Sequence, residues 1–303
     1  MQNLSGIEPA TEPETFKRTV SGGVRVMARR YAAEGGNAGR RTAVCLAGLT
    51  RNGRDFDVLA RALSTGPDAR NVLTIDMRGR GGSDFDSDWR NYTIQTETAD
   101  LIDVLTSEEL DHVALIGTSR GGLIAMALAA IQPTRLGVVV LNDIGPIIEI
   151  DGLSRIAGYV GKMPAPDTWE EAASLCRRMA ERDFPNVTDD GWDRIARQWF
   201  NDEGGRPVPG YDPAIAQTFA MTKDGIPELW PQFTGLTRVP CLAIRGGRSD
   251  LLSEATVREM AQRHPHFRAH TVADEGHAPL LKDAQTLAVI AQFLRDTDDD
   301  QRA

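Results

Sequence analysis

The chain has 303 residues, 41% hydrophobic and 25% charged, values of an ordinary globular protein that argue against disordered, collagen-like and coiled-coil classes. At roughly 150 residues per domain, the length allows one large or two modest domains. The formal charge of −9 repels nucleic acid and anionic lipid surfaces, so neither nucleic acid nor a membrane surface is an expected partner.

A polar leader, expected to be flexible, runs to about residue 15. Two alternating runs, residues 16–20 and 24–32, then flank Ser21-Gly22-Gly23 and predict an antiparallel hairpin. Apolar runs next alternate with helical stretches: strands at 42–46, 72–76, 113–117 and 138–142, helices at 56–64, 93–105 and 122–131. That rhythm means βαβ units and a mostly parallel sheet with helices on both faces. It breaks between Gly145 and about Arg238, where amphipathic stretches such as 168–182 and 190–200 stand between Pro and Gly residues and strand signals are weak. Strand-like runs return at 241–245 and 269–272, with helices at 255–263 and 284–295. The expected organisation is therefore a leader at 1–15, one α/β core from 16–145 and 238–303, and a helical cap inserted at 146–237. Trp169, Trp192, Trp199 and Trp230 fall in that insertion, where packing is the default role of each.

Cys45, Cys176 and Cys241 are too few and too scattered for a disulfide framework or a metal knuckle, which fits a reduced, cytoplasmic setting. The N-terminus lacks a basic start followed by an apolar stretch, and the longest near-apolar run, residues 121–131, falls far short of about 18 residues. Neither export nor membrane spanning is expected, and the chain is taken as a monomer or homodimer.

The sharpest chemical signal is Gly117-Thr118-Ser119-Arg120-Gly121-Gly122, between an apolar strand and an apolar helix. It is G-x-S-x-G in strand–turn–helix context, which lifts the central hydroxyl above the strand's C-terminal end and beside a helix N-terminus. A serine hydroxyl at its free pKa is a weak nucleophile, so a histidine must take its proton and an acid must orient that histidine. Of the five histidines, His112 lies at the wrong end of the strand, and His264, His266 and His270 crowd the start of the last one. His277 follows the last strand and is the expected base. Asp250, in Arg245-Gly246-Gly247-Arg248-Ser249-Asp250, is the first choice of acid because it gives the chain order Ser, Asp, His. Asp143, in Leu141-Asn142-Asp143-Ile144-Gly145-Pro146, ends a strand at the same edge and is the alternative. The backbone N–H groups of Leu49 and Arg120 are the expected oxyanion donors. The Arg120 guanidinium is expected to pair with an acidic neighbour rather than with a substrate carboxylate. The His264–His270 cluster has no recognisable metal-ligand spacing, and no dinucleotide or phosphate-loop motif occurs. Metal and cofactor dependence are therefore not implied.

With these residues in place, the chain resembles the α/β-hydrolase superfamily, in particular its serine-nucleophile members with a helical cap. Asp76-Met77-Arg78-Gly79-Arg80-Gly81-Gly82-Ser83-Asp84 is similar to the D-x-R-G-x-G-x-S-D turn of these enzymes, and the segments around Asp250 and His277 are similar to their acid and histidine turns. The likeness covers nearly everything after residue 20. One departure is Ala47-Gly48, where members often carry His-Gly at the oxyanion turn. The resemblance implies a serine hydrolase acting on a carboxylic ester or lactone of a small to medium, partly apolar substrate through an acyl-enzyme. C–C bond hydrolysis of a vinylogous diketone and a non-catalytic ligand receptor are the alternatives on the same fold.

Overall fold

The computed structural model describes residues 12–37, 39–222 and 227–299. Most of the expected leader lies outside these residues, and strand β1 (Glu14–Thr19) begins within its last positions. β1 pairs antiparallel with β2 (Arg25–Tyr31) across Ser21-Gly22-Gly23. Gly22 and Gly23 there have φ of 82° and 77°, a left-handed backbone that only glycine adopts freely.

The apolar runs that follow become β3 (Ala43–Leu46), β4 (Val72–Asp76), β5 (Val113–Thr118) and β6 (Leu136–Asn142). Between them lie α1 (Asp57–Ser64), α2 (Ile94–Ser107) and α3 (Arg120–Ile131). Every residue of β3, β4 and β6 is buried, as parallel strands covered on both faces must be. After β6 the chain leaves the sheet for α4 (Ile150–Tyr159), α5 (Trp169–Ala180), α6 (Asp189–Trp199), the hairpin β7 (Phe200–Glu203) and β8 (Arg206–Pro209), and α7 (Trp230–Gly235). It returns with β9 (Cys241–Gly246), α8 (Glu254–Arg263), β10 (Phe267–Val272) and α9 (Ala284–Asp299). Four helices begin at a Ser or Thr whose hydroxyl accepts a first-turn N–H: Thr93, Thr168, Thr188 and Ser253. Each such cap contributes about 1 kcal/mol.

The sheet order is β1-β2-β4-β3-β5-β6-β9-β10, with β1 and β2 antiparallel to their neighbours and all other pairs parallel. The first parallel strand, β3, has β4 on one side and β5 on the other. The connections diverge there and open a crevice at the C-terminal edge, where open α/β sheets bind ligands. The loops after β3, β5, β6 and β10 all reach that edge.

Two features of residues 146–237 differ from expectation. The β7–β8 hairpin is a strand pair in a stretch read as helical, because Asn201, Asp202, Glu203, Pro207 and Pro209 break the apolar alternation that signals strands. Trp230 and Phe233 of α7 belong to the large apolar cluster of the sheet, whereas α5 and α6 build a smaller cluster around Ala172, Cys176, Trp192, Ile195 and Phe200. Among the described residues, no helix is long and apolar enough to cross a membrane.

Candidate active site

The turn after β5 is made by close approach. A Cβ at Gly117 would sit 2.5 Å from the Gly121 backbone, and one at Gly121 would collide with the Leu46 carbonyl oxygen. Glycine at both positions lets α3 start directly over the strand. Ser119 itself has φ 49° and ψ −110°, a strained backbone for a residue with a side chain. It is held there by its N–H, which donates to Asn142 O at 2.9 Å. The Asn142 amide in turn donates to Thr118 Oγ1 and Pro279 O, at 3.0 and 2.9 Å. One buried side chain thus ties the serine turn to the loop after β10.

In that loop, His277 Nε2 lies 2.9 Å from Ser119 Oγ, and His277 Nδ1 lies 2.8 Å from Asp143 Oδ2. Asp143 follows β6 directly and has φ 56°, a conformation that Asp tolerates better than most residues. Its carboxylate is fully buried and also accepts from Gly246 N–H (2.8 Å) and Ser249 Oγ–H (2.6 Å). The two ends of one imidazole therefore connect hydroxyl to carboxylate, an arrangement able to accept the hydroxyl proton and return it.

Asp250, the first choice of acid, is not brought to His277. Arg155 on α4 takes its carboxylate bidentately, Nε to Oδ2 at 2.7 Å and Nη2 to Oδ1 at 2.8 Å. That hydrogen-bonded guanidinium outweighs the effect of burial and holds the Asp250 carboxyl below the usual carboxylate range. The alternative, Asp143, occupies the position facing the imidazole. Sequence spacing could not separate them, because both follow strands ending at the same edge.

The N–H groups of Leu49 and Arg120 donate to no other group among the described residues, and Leu49 lines the cleft with Ser119 and His277. Both loops are braced by a cluster that sequence reading missed. Glu97 on α2, wholly buried, accepts from Arg80 Nη1 (2.7 Å) and from Arg120 Nε and Nη2 (2.6 and 3.0 Å). Arg80 Nε donates to Leu49 O at 2.8 Å. Burial alone would raise the Glu97 pKa, but the guanidiniums of Arg120 and Arg80 outweigh it and keep Glu97 below its ordinary value. The Arg120 side chain thus pairs with an acid, as expected. Nothing in the sequence marks Glu97, which reads as one polar position on a helix.

The cleft above Ser119 encloses about 1080 Å³ including its open mouth. Its apolar wall includes Ile156, Tyr159, Met163, Phe184, Trp199 and Leu280. Trp199 therefore lines the cleft, while Trp192 packs inside the α5–α6 cluster. Arg54 fastens the covering segment to the floor: its Nη2 donates to Gln198 O, Phe200 O and Asn201 Oδ1, at 3.1, 3.0 and 2.8 Å. His264 lies apart from the cleft between Phe233 and Phe267, its Nε2 3.0 Å from Leu236 O, and burial lowers its pKa.

Known proteins share this architecture. The pattern that defines the alpha/beta hydrolase family matches residues 43–289. A 3-hydroxybutyrate-oligomer hydrolase of Cupriavidus necator is 33% identical over 277 residues, covering 87% of this chain and 91% of that protein. Esterase YbfF of Escherichia coli is 28% identical, covering 84% and 92%. The crystal structure of an alpha/beta hydrolase from Novosphingobium aromaticivorans superposes with a TM-score of 0.86 at 37% identity, covering 94% of this chain and 98% of that one.

Proposed function

This chain belongs to the alpha/beta hydrolase family, and from that premise we propose that it is a serine hydrolase cleaving carboxylic esters of small hydroxy acids. The observation that carries the reading is the Ser119–His277–Asp143 relay beside two N–H groups without acceptors among the described residues. Similarity to a relative named for 3-hydroxybutyrate oligomers supports the substrate class, since oligomers of a hydroxy acid are chains of ester bonds.

Ser119 Oγ attacks the ester carbonyl while His277 Nε2 takes its proton. Asp143 holds the imidazole by Nδ1–H and stabilises the imidazolium. The carbonyl oxygen, now negative, is received by the N–H groups of Leu49 and Arg120, each donor of this type being worth about 3 kcal/mol in the transition state. The imidazolium then protonates the departing alkoxide, leaving an acyl-Ser119. Water, deprotonated by His277, releases the acid and restores the serine. Residues 155–199 serve as the cap that walls the cleft.

The test is a p-nitrophenyl ester chain-length series together with a serine-directed fluorophosphonate, the labelled peptide being read by mass spectrometry. Turnover with the label on Ser119 is the expected result. A label without turnover of any ester would overturn the ester reading in favour of another electrophile, such as a C–C substrate; no label at all would overturn the nucleophile assignment.

A further inference from the structure

The cleft that holds Ser119 is lined by three cations, and two of them are already neutralised. Arg51 is bidentate to Asp55, at 2.8 and 2.6 Å, and its guanidinium lies 3.9 Å from the ring centre of Trp199. Arg155 is taken by Asp250 and, at 3.5 Å, by Asp183. The third, Lys282, follows the His277 loop, and its Nζ donates to the neutral amide oxygen Gln198 Oε1 at 2.9 Å. Among the described residues, no carboxylate comes within salt-bridge reach of it. An ammonium has three N–H donors, so two remain for whatever enters the cleft. Burial, together with Arg51 and Arg194, pulls the Lys282 pKa down to about 8 against the opposing fields of Asp55 and Glu275. A partly desolvated cation without a counter-ion is costly unless an anion joins it.

Resting on the ester-hydrolase reading, we infer that Lys282 is the receiving group for a substrate carboxylate. The acid terminus of a short hydroxy-acid ester sits against Lys282 Nζ and the Gln198 amide while its ester carbonyl lies at Ser119. Lys282 is then a specificity residue: it selects free-acid esters over esters blocked at that terminus. Its counter-ion comes with the substrate, which is why no carboxylate among the described residues stands within salt-bridge reach.

The experiment compares kcat/KM for the linear dimer of 3-hydroxybutyrate and for the dimer's methyl ester in the wild type, Lys282→Gln and Lys282→Arg. Folding of each variant is checked by thermal melting. The ratio of free acid to methyl ester is expected to favour the acid in the wild type, to fall about tenfold or more in Lys282→Gln, and to recover in part in Lys282→Arg; tenfold corresponds to losing one charge-assisted hydrogen bond. Calorimetric binding of 3-hydroxybutyrate to Ser119→Ala, with and without Lys282→Gln, reads the same subsite without turnover. A ratio unmoved by either variant, with equal binding to both Ser119→Ala proteins, overturns the subsite and leaves ester hydrolysis standing. Lys282-dependent binding with no turnover of either dimer overturns ester hydrolysis and keeps the subsite.

Discussion

Along the sheet edge, Ser119 and His277 meet although they are 158 positions apart in the chain, and each is held by buried bonds to neighbouring loops. Above them, α5 and α6 pack through a small cluster of their own, and the outward side of these helices carries exposed pairs such as Arg177 with Asp189. The first region is built so that a displacement in one loop disturbs several others. The second satisfies itself locally and presents only a few side chains to the cleft. The contrast separates a floor of tightly bonded loops on the sheet, which holds Ser119, His277 and Lys282, from a covering segment that lends the cleft most of its apolar wall.

Substitutions can break this contrast, beginning with the reacting loops. Ser119→Ala is expected to reduce ester turnover to background while the melting temperature stays within a few degrees. Asp143→Asn should lower kcat by roughly 10⁴-fold through the wrong imidazole tautomer, whereas Asp250→Asn should cost less than about tenfold. A larger loss in Asp250→Asn than in Asp143→Asn would return the orienting role to Asp250. Next comes the brace. Glu97→Gln leaves the buried guanidinium of Arg80 and the partly buried one of Arg120 without an anion, so denaturant unfolding should register a loss of about 3 kcal/mol or more, with kcat falling as the two N–H donors lose alignment. Ile195→Ala, in the α5–α6 cluster, should cost about 2–4 kcal/mol yet leave fluorophosphonate labelling of Ser119 intact. Labelling lost in parallel with that cluster would mean the two regions are not separable. The smallest effect belongs to Arg177→Ala, an exposed pair whose removal should move stability by no more than about 0.5 kcal/mol.

What could be read in advance follows the same division. The strands between β3 and β6 and the turns at Ser119 and His277 were legible because burial on both faces demands unbroken apolar runs and a tight turn demands glycine. Asp143 and Asp250 were not separable, because the choice depends on the left-handed backbone of Asp143 and on Arg155 arriving from α4 to occupy Asp250. Neither contact has a local signature. Glu97 and Lys282 look like ordinary solvated charges in the sequence; only the tertiary packing buries one between two arginines and turns the other into a cleft. The β7–β8 hairpin stayed hidden because its pairing is carried by backbone bonds between polar and proline-rich residues.

Arg54 holds the covering segment mostly through main-chain oxygens, those of Gln198 and Phe200, with a single side-chain acceptor in Asn201. A clasp that grips backbone is largely indifferent to the residues it carries. The residues between Met163 and Trp199 that bond neither floor nor neighbour, unlike Asp183 and Gln198, can therefore be varied over the same fastening point. An engineer can exploit that freedom by varying the cleft-facing residues of the covering segment while keeping Arg54 and its backbone acceptors.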